Sequence, residues 1–478
     1  MPTSTSCAHT THLTKDAMTT AHTPPLLNKL AMLTGGVLFA LSAHAQDKAP
    51  GLIGKSNWLF YSFEFNRNPE EARKSIDLIS KVANALESNG TTLLVALAPI
   101  KARIYAEHLP DNKPLTPDLQ RDYGRYLEQF KAAGIHTADI NAAFLSSEKR
   151  TGEFPLYFQQ DTHWSATGAL LAAEAIRDAI NAHPVTRDVL AATPETKWSI
   201  VWATRKIPKS GDLIQQLPPG SPPFEKELVT TFDVLRSDGS QPLLGDTATS
   251  GVALIGSSYT HEWTHFPKSI EFTLQRSVPS LSLAANIGQW YGLDTYLRSD
   301  AFQKARPKLL IWEMPERDLK ATPSMPYREA RYVLDNQEWL ARVSALVQQT
   351  CVPAANRLTF TPGKLVTSKN GSEASAASTT AQDKVELDLA QGSSKQEYLS
   401  AKLMSNGSKN IQVTLTGPKA TSRQFTIEAA GDDQVHTFKI PLFSKTKGFN
   451  KIKLVPGDTN GFALKDIELC QQPAGVVN

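Results

Sequence analysis

Two short segments of the 478-residue chain carry side chains that could perform acyl transfer. Asp161 and His163 are two residues apart, so in extended chain they point to one face, and the carboxylate can orient the imidazole. Ser258 follows Gly256 after an apolar run, 252–255, at the kind of strand end where α/β sheets place ligands and nucleophiles. A serine hydroxyl is a weak nucleophile and needs an oriented base. The two segments therefore predict a triad of Ser258, His163 and Asp161.

The neighbouring polar residues have simpler interpretations. An Asp-x-His pair alone also arises by chance or as an N-terminal hydrogen-bonding device. Ser257 is expected to be buried or to cap a turn. His261 and His265 are possible rival bases, but a helix or loop after Ser258 would fan them apart, so we interpret both as local structure.

Acyl transfer passes through a tetrahedral oxyanion, which needs hydrogen-bond donors. The backbone N–H groups near Ser258 and Tyr259 are candidate donors because they lie at the nucleophile itself. Asn286, in the segment 286–289, is a further candidate. The chemistry predicted from these residues calls for no cofactor and no metal.

The segments that must position these residues alternate between helices and short buried strands. Helical spacing, with capping residues such as Ser165, predicts helices over 70–89, 116–133 and 165–182. Continuous apolar runs and short strand-like segments predict strands at 92–98, 136–140, 252–255 and 309–312. This alternation predicts a three-layer α/β/α domain.

A proline-rich region, 184–242, separates the two halves of this domain. Its composition favours extended loops and short strands over the sheet edge, and a lid or substrate wall is an alternative to plain loop. A helix is expected over 336–348, leading into Cys351.

After Cys351 the chain changes to short alternating segments separated by turn residues, which is typical of a β-sandwich. Lys and Arg outnumber Asp and Glu between Arg357 and Lys465. We therefore expect an appended module at 351–478 that binds an anionic polymer, or one that is merely structural.

The amino terminus and the cysteines both indicate export. Residues 1–45 contain an apolar run, 30–41, that is too short to span a bilayer and ends in a small-residue pattern at Ala45, as in a cleaved signal peptide. Cys351 and Cys470 are the two cysteines that follow it, and a disulfide is their simplest state in an oxidising compartment. The formal net charge of +3 does not favour nucleic-acid binding.

Four motifs resemble a known family: GKSNWLF, QDTHWSATG, IGSSYT and LLIWEMPER. Together they are similar to the periplasmic alginate O-acetyltransferases of the AlgX and AlgJ type, which belong with the SGNH-hydrolase-like proteins. The resemblance covers most of residues 51–349, so the domain at 46–350 is expected to have that fold. The cysteine-bounded β-module resembles the carbohydrate-binding module of AlgX.

The resemblance implies roles for the motif residues. Asp161 and His163 correspond to the orienting acid and the base, and Ser258 to the nucleophile, with the Asp-x-His motif before the serine as in that family. It also implies an alginate-like substrate, an acetyl donor delivered by a membrane O-acyltransferase system, and other subunits of a polysaccharide secretion complex.

Recognition of an anionic chain calls for basic and aromatic groups. Lys395, Tyr398 and Lys402 in the module are candidates, as is Arg317 near the catalytic groove. The family leads one to expect a tryptophan in the module, and residues 352–478 contain none, so another exopolysaccharide is possible. Two other functions stay open: an SGNH-type acetylesterase, and a non-catalytic polysaccharide-binding subunit of an export complex.

Overall fold

The described residues of the computed structural model are 50–237, 251–283, 288–325 and 333–473, apart from short gaps at 356, 362, 368–372, 408–409, 419–420, 429–430, 432–433 and 444–447. The predicted signal peptide and Asn286 lie outside them. Within the part of the chain that the structure describes, every helix is too short or too polar to span a bilayer. All described elements belong to one compact unit, Lys48–Asn478.

The helices of this unit occur in the first three quarters of the chain. They are α1 (Pro69–Glu87), α2 (Lys101–Ile104), α3 (Pro117–Ala132), α4 (Ile140–Ser146), α5 (Ala166–Ala182), α6 (Pro184–Ala192), α7 (Phe266–Leu274), α8 (Gln289–Arg298), α9 (Asp300–Lys304) and α10 (Asn336–Val347). Sequence signals fix several of the starts. Thr116 caps α3 by accepting from the N–H of Leu119, and Ser165 caps α5 by accepting from that of Gly168.

The strands before residue 320 build the α/β part of the chain. They are β1 (Gly51–Ile53), β2 (Leu59–Tyr61), β3 (Thr92–Ala98), β4 (His136–Thr137), β5 (Trp198–Trp202), β6 (Ile207–Lys209), β7 (Glu227–Val229), β8 (Phe232–Arg236), β9 (Val252–Gly256), β10 (Ser280–Ser282) and β11 (Leu309–Pro315). Strands β10, β9, β11, β3 and β4 form a parallel sheet in that order.

This sheet is covered on both faces, which explains its continuous apolar strands. Leu93, Val95 and Leu97 of β3 belong to a core that also contains residues of α1, α3, α8 and α10. Leu94 and Ala96 point to the other face and share a core with α4, α5 and α7. The predicted three-layer α/β/α architecture is therefore confirmed.

Two local predictions differ from the structure. Strand β4 is shorter than the expected 136–140, because the Asp139 side chain accepts from the N–H of Ala142, 2.8 Å away, and starts α4. The proline-rich region begins with α6 instead of loop, since Pro184 occupies the first turn of that helix, where its missing N–H is no loss.

The carboxyl-terminal strands form two antiparallel sheets. They are β12 (Val352–Pro353), β13 (Leu358–Thr361), β14 (Val366–Thr367), β15 (Ala374–Ala376), β16 (Val385–Leu389), β17 (Glu397–Asn406), β18 (Asn410–Thr416), β19 (Ser422–Glu428), β20 (His436–Pro441), β21 (Lys451–Val455) and β22 (Gly461–Gln471). One sheet has the order β14, β15, β22, β17, β20, with β12 beside β22, and the other β13, β16, β21, β18, β19. Both sheets contribute to one apolar core, as expected for a β-sandwich.

The β-sandwich is joined to the α/β part by covalent and polar contacts. Cys351, which follows α10, forms a disulfide with Cys470 on β22. The ammonium of Lys439 on β20 donates to the carbonyl oxygens of Gln348, at 2.5 Å, and Leu346, at 3.2 Å. These contacts fix the sandwich against the end of α10.

Candidate active site

The structure brings Ser258, His163 and Asp161 together in one chain of hydrogen bonds. Ser258 begins a short 3-10 helix directly beyond the carboxyl end of β9. Its Oγ lies 2.8 Å from His163 Nε2, and His163 Nδ1 lies 2.6 Å from Asp161 Oδ1. A carboxylate only accepts, so Nδ1 carries the ring proton and Nε2 can accept the Ser258 proton. The arrangement can activate the serine as a nucleophile.

A buried carboxylate anchors the turn that presents Ser258. Glu313 on β11 accepts hydrogen bonds from the backbone N–H of Ser257 at 2.8 Å, the Ser257 hydroxyl at 2.9 Å and the Thr260 hydroxyl at 2.9 Å. A Cβ on Gly256 would lie 2.0 Å from Thr260 Oγ1 and 2.5 Å from Glu313 Oε2, so only glycine fits before this turn. Ser257 is buried and caps the turn, as predicted.

Asp161 is held by groups on both of its oxygens. Oδ1 accepts from the His163 backbone N–H at 3.0 Å as well as from the ring, and Oδ2 accepts from Lys209 Nζ at 2.7 Å and the Asp212 N–H at 3.2 Å. Burial alone would raise the pKa of Asp161, but the hydrogen bonds and charges of His163 and Lys209 hold that pKa well below its usual range. Asp161 is therefore a fixed anion that keeps the imidazole oriented.

The proline-rich region supplies this support, because strands β6 and β7 and the loop between them pack on the segment before His163. Asp212 accepts from the N–H of Thr162 at 2.8 Å and from its hydroxyl at 2.7 Å, while Glu227 accepts from the N–H of Gln159 at 2.8 Å. A Cβ on Gly211 would lie 1.8 Å from the Gln160 carbonyl oxygen, so the backbones approach closely. The region braces the Asp-x-His segment.

Lys101 also holds this segment. Its fully buried ammonium donates to the carbonyl oxygens of Leu59 at 2.7 Å, Gln159 at 2.8 Å and Asp161 at 3.0 Å. Burial lowers the pKa of Lys101 to about 8, against the raising effect of nearby carboxylates such as Glu227. Three carbonyl acceptors compensate a buried cation and order the loop.

Sequence reasoning did not identify these supporting residues. Lys101, Lys209, Asp212 and Glu313 lie 48 to 60 positions from the motif residues they contact, and no local pattern links them. The only local signal in the sequence was the pair of charged residues near Gly211, Lys209 and Asp212, within a proline-rich stretch.

The candidate oxyanion donors fare differently. Tyr259 was expected to offer its N–H, but that group donates to Ser257 Oγ at 3.1 Å. The Tyr259 hydroxyl donates to the Thr162 carbonyl and accepts from Arg317 at 2.8 Å. The prediction for Tyr259 is therefore wrong, because its N–H and its hydroxyl both donate to acceptors inside the fold. Among the described residues, none accepts a hydrogen bond from the Ser258 N–H.

Two of the residues suggested for polysaccharide binding, Tyr398 and Lys402, line the same cavity. Tyr398 is 1% exposed and packs with Ala345 and Cys470, so the predicted sugar-stacking role is wrong, since no face of its ring is free. Lys402 forms an ion pair of 2.7 Å with Asp466, and Lys395 is exposed.

Arg317 is placed beside the triad but contacts Tyr259 and not the three triad residues. Its guanidinium lies 5.2 Å from the centre of the Tyr259 ring, whose own centre is 4.7 Å from that of His163. Arg317 therefore supports the Tyr259 ring, which packs against the His163 ring.

His261 and His265 are local structure, as predicted. Trp263 N–H donates to His261 Nδ1 at 3.5 Å in the turn after Ser258. His265 has a positive φ of 63° at the start of α7, and its ring packs on Phe232 at 4.9 Å. Neither ring is hydrogen-bonded to Ser258 among the described contacts.

Asp161, His163 and Asp212 bring potential metal ligands within 4.8 Å of one another. Their oxygens already accept from Lys209, Thr162 and the imidazole. A cation here would displace the ammonium of Lys209, so the donor set does not fit a metal site.

An α/β domain with a serine just beyond the carboxyl end of a parallel strand, and an Asp-x-His pair in the loop before a helix, is typical of the SGNH-hydrolase-like class. Comparison with known families agrees: the family described as "SGNH hydrolase-like domain, acetyltransferase AlgX" matches residues 52–316. The chain belongs to this family.

Individual relatives support this assignment. The chain is similar to the probable alginate O-acetylase AlgJ of Pseudomonas syringae pv. tomato, with 32% identity over 289 residues, covering 57% of this chain and 70% of the relative. The solved O-acetyltransferase domain of Pseudomonas putida AlgJ has 25% identity and a TM-score of 0.51, covering 62% of this chain and 98% of that domain. Pseudomonas aeruginosa AlgX, at 17% identity, shares the fold with a TM-score of 0.62 over 88% of this chain and 94% of its own.

We expect Lys209→Met to lower the free energy of unfolding by about 2 kcal/mol at pH 7, because Asp161 would lose a charged hydrogen-bond donor while staying buried. Urea unfolding followed by circular dichroism measures this. Lys206→Met is a matched control from the same region, since Lys206 pairs with Glu153 on the surface, and it is expected to change stability by less than about 0.5 kcal/mol. Equal effects of the two substitutions would contradict the bracing role of Lys209.

Glu313 gives a prediction for pH dependence. Burial raises its pKa from 4.5 to about 7, despite hydrogen bonds from Ser257 and Thr260 that lower it. At pH values between 4.5 and about 7, the carboxyl of Glu313 is protonated in the folded chain and ionised in the unfolded chain. The free energy of unfolding therefore falls as the pH rises through this range, by about 3 kcal/mol in all.

Glu313→Gln is expected to remove this fall, since glutamine stays neutral. Urea unfolding at pH 5 and at pH 7.5 provides the measurement. Glu271, whose pKa burial also raises to about 7, supplies the matched Glu271→Gln control: it should remove a similar pH dependence without affecting the turn at Ser258. A Glu313→Gln protein with the full pH dependence of the unmodified protein would show that this carboxyl is ionised throughout.

Proposed function

We propose that this protein is an exported O-acetyltransferase that moves an acetyl group through Ser258 to hydroxyls of an exopolysaccharide, most simply alginate. The observation that carries the proposal is the unbroken hydrogen-bond chain from Ser258 Oγ through His163 to Asp161. Family membership supports acetyl transfer as the reaction class.

In the first step, Ser258 Oγ attacks the carbonyl carbon of the acetyl donor while its proton passes to His163 Nε2. The resulting oxyanion collapses, the bond to the leaving group breaks, and the leaving group takes that proton from His163. Asp161 stays ionised and stabilises the imidazolium between the two transfers. The product of this step is acetyl-Ser258.

In the second step, a sugar hydroxyl gives its proton to His163 Nε2 as its oxygen attacks the acetyl carbon. Ser258 Oγ then leaves and recovers the proton, and the sugar ester departs. The Ser258 N–H is the donor that we assign to both oxyanions, because it lies at the reacting atom and has no acceptor among the described residues.

Alginate is proposed as the polymer because relatives of this chain are named probable alginate O-acetylase AlgJ and alginate biosynthesis protein AlgX. The β-sandwich is proposed as a carbohydrate-binding module that keeps the polymer near the site. Its surface Lys395 and Lys402 are the residues that remain as candidates, since Tyr398 is buried.

The cellular setting follows from the same proposal. A signal peptide at residues 1–45 would bring the protein to the periplasm, where the Cys351–Cys470 disulfide is stable. We propose that a membrane O-acyltransferase system delivers the acetyl group and that other secretion-complex subunits bring the polymer.

The test offers the protein p-nitrophenyl acetate with mannuronate oligomers and measures both acetylated sugar and free acetate. If the protein transfers acetyl groups, acetylated oligomers form and their formation requires Ser258. Free acetate alone, unaffected by the oligomers, would identify an acetylesterase. Oligomer binding without turnover of any acetyl donor would identify a non-catalytic binding subunit.

A further inference from the structure

Trp263 is an exposed aromatic residue beside the proposed catalytic centre. It is 40% exposed, and of the eight tryptophans in the chain, all of which are described, only Trp202 is comparably open, at 39%. The indole meets the His163 ring edge-on, with centroids 4.8 Å apart and planes at 77°. A large apolar surface therefore faces solvent next to the base.

The neighbouring contacts hold this indole in place. Trp263 lies in a short 3-10 helix, Glu262–Thr264, where the buried Thr264 hydroxyl is hydrogen-bonded to the Tyr259 carbonyl at 2.8 Å. Phe158 stacks near the ring at 6.4 Å with an interplanar angle of 26°, and Lys209 Nζ lies 4.8 Å from its centre. The ring is preorganised although much of it is open.

We infer that Trp263 is the platform for the pyranose ring of the acceptor sugar, a role that rests on the proposed acetyl transfer. In the second step the sugar hydroxyl must reach His163 Nε2, which lies 2.8 Å from Ser258 Oγ. A sugar placed there lies alongside the indole, whose centroid is 4.8 Å from that of the His163 ring. The apolar C–H face of a pyranose matches the exposed indole.

This position also explains how sugar competes with water for acetyl-Ser258. A sugar on the indole covers the side of His163 that Trp263 flanks, so the hydroxyl nearest to the base belongs to the sugar. The platform acts on acceptor binding and not on attack by Ser258 on the donor.

The test measures the concentration of mannuronate oligomer that diverts half of the acetyl groups of p-nitrophenyl acetate from water to sugar. Trp263→Ala and Trp263→Gln are each expected to raise this concentration at least about tenfold, since truncating an anchoring tryptophan commonly costs more than a factor of ten. Trp263→Phe, which keeps an aromatic face, should raise it less. Trp202→Ala is the matched control and should change it by less than about twofold.

The inference is overturned if the half-diverting concentration in Trp263→Ala or Trp263→Gln stays within twofold of the unmodified protein. An unmodified protein that releases nitrophenol without acetylating sugar would contradict the proposed transfer instead. Oligomer binding by calorimetry then decides the platform: Ser258→Ala should bind at least about tenfold more tightly than Ser258→Ala with Trp263→Ala. Equal affinities would overturn the platform.

Discussion

Ser258→Ala is expected to reduce acetyl transfer by about 10⁴-fold or more, because the acetyl-serine intermediate cannot form without Oγ. The turn that carries Ser258 is held by the hydrogen bonds between Ser257 and Glu313, and the Ser258 side chain faces the site. We therefore expect the fold to persist. Initial rates of p-nitrophenol release and of oligomer acetylation measure the loss, and thermal unfolding checks the fold.

The adjacent serine provides a matched control for this substitution. Ser257→Ala removes hydrogen bonds to Glu313 and from the Tyr259 N–H, so we expect a loss of about 1–3 kcal/mol in stability while acetyl-Ser258 still forms. If Ser257→Ala abolished acylation and Ser258→Ala retained substantial turnover, the nucleophile would be assigned to the wrong serine.

Asp161→Asn is expected to lower the rate by about 10³–10⁴-fold, the second largest effect. Both oxygens of Asp161 accept hydrogen bonds, so an amide NH₂ group would face a donor on either side. If that NH₂ donates to His163 Nδ1, the ring proton moves to Nε2, which can then no longer accept the proton of Ser258.

Steady-state kinetics over a range of pH provides the measurement for Asp161→Asn. Asp212 is the control, because it contacts the Thr162 backbone and hydroxyl while its Oδ2 is 3.9 Å from His163 Nδ1. Asp212→Asn should cost far less in rate than Asp161→Asn. A larger loss in Asp212→Asn would identify Asp212 as the carboxylate that orients the imidazole.

The sequence predicted elements whose signals are local. Strand β3 occupies the expected residues 92–98 because a strand buried on both faces must be apolar throughout. Helix α5 starts after its predicted cap Ser165, and that start fixes the segment that carries His163. The relation of His163 to Asp161 followed from spacing alone.

Long-range contacts account for what was missed. Tyr398 and Lys402, which lie on strand β17, were interpreted as candidates for recognition of an anionic chain. The alternation of Leu399, Ala401 and Leu403 was the signal for a strand with one buried face. Tyr398 is buried by the disulfide and α10, which no pattern within β17 reveals.

The supporting residues of the site depend on tertiary structure in the same way. Glu313 is the fifth residue of an apolar strand, and its burial is stable because β9 ends beside it with donors on Ser257 and Thr260. The contact of Lys209 with Asp161 requires the proline-rich region to fold back over the catalytic segment. Neither relation can be predicted from residue spacing.

The most direct test of the central claim is to detect the acetyl group on Ser258. The protein is mixed with isotope-labelled acetyl donor, quenched in acid and digested, and the peptide containing Ser258 is analysed by mass spectrometry, with and without a chase of mannuronate oligomer. We predict labelled acetyl on Ser258 that disappears during the chase as labelled sugar ester forms. Labelled sugar ester from a protein whose Ser258 never carries the label would contradict the account.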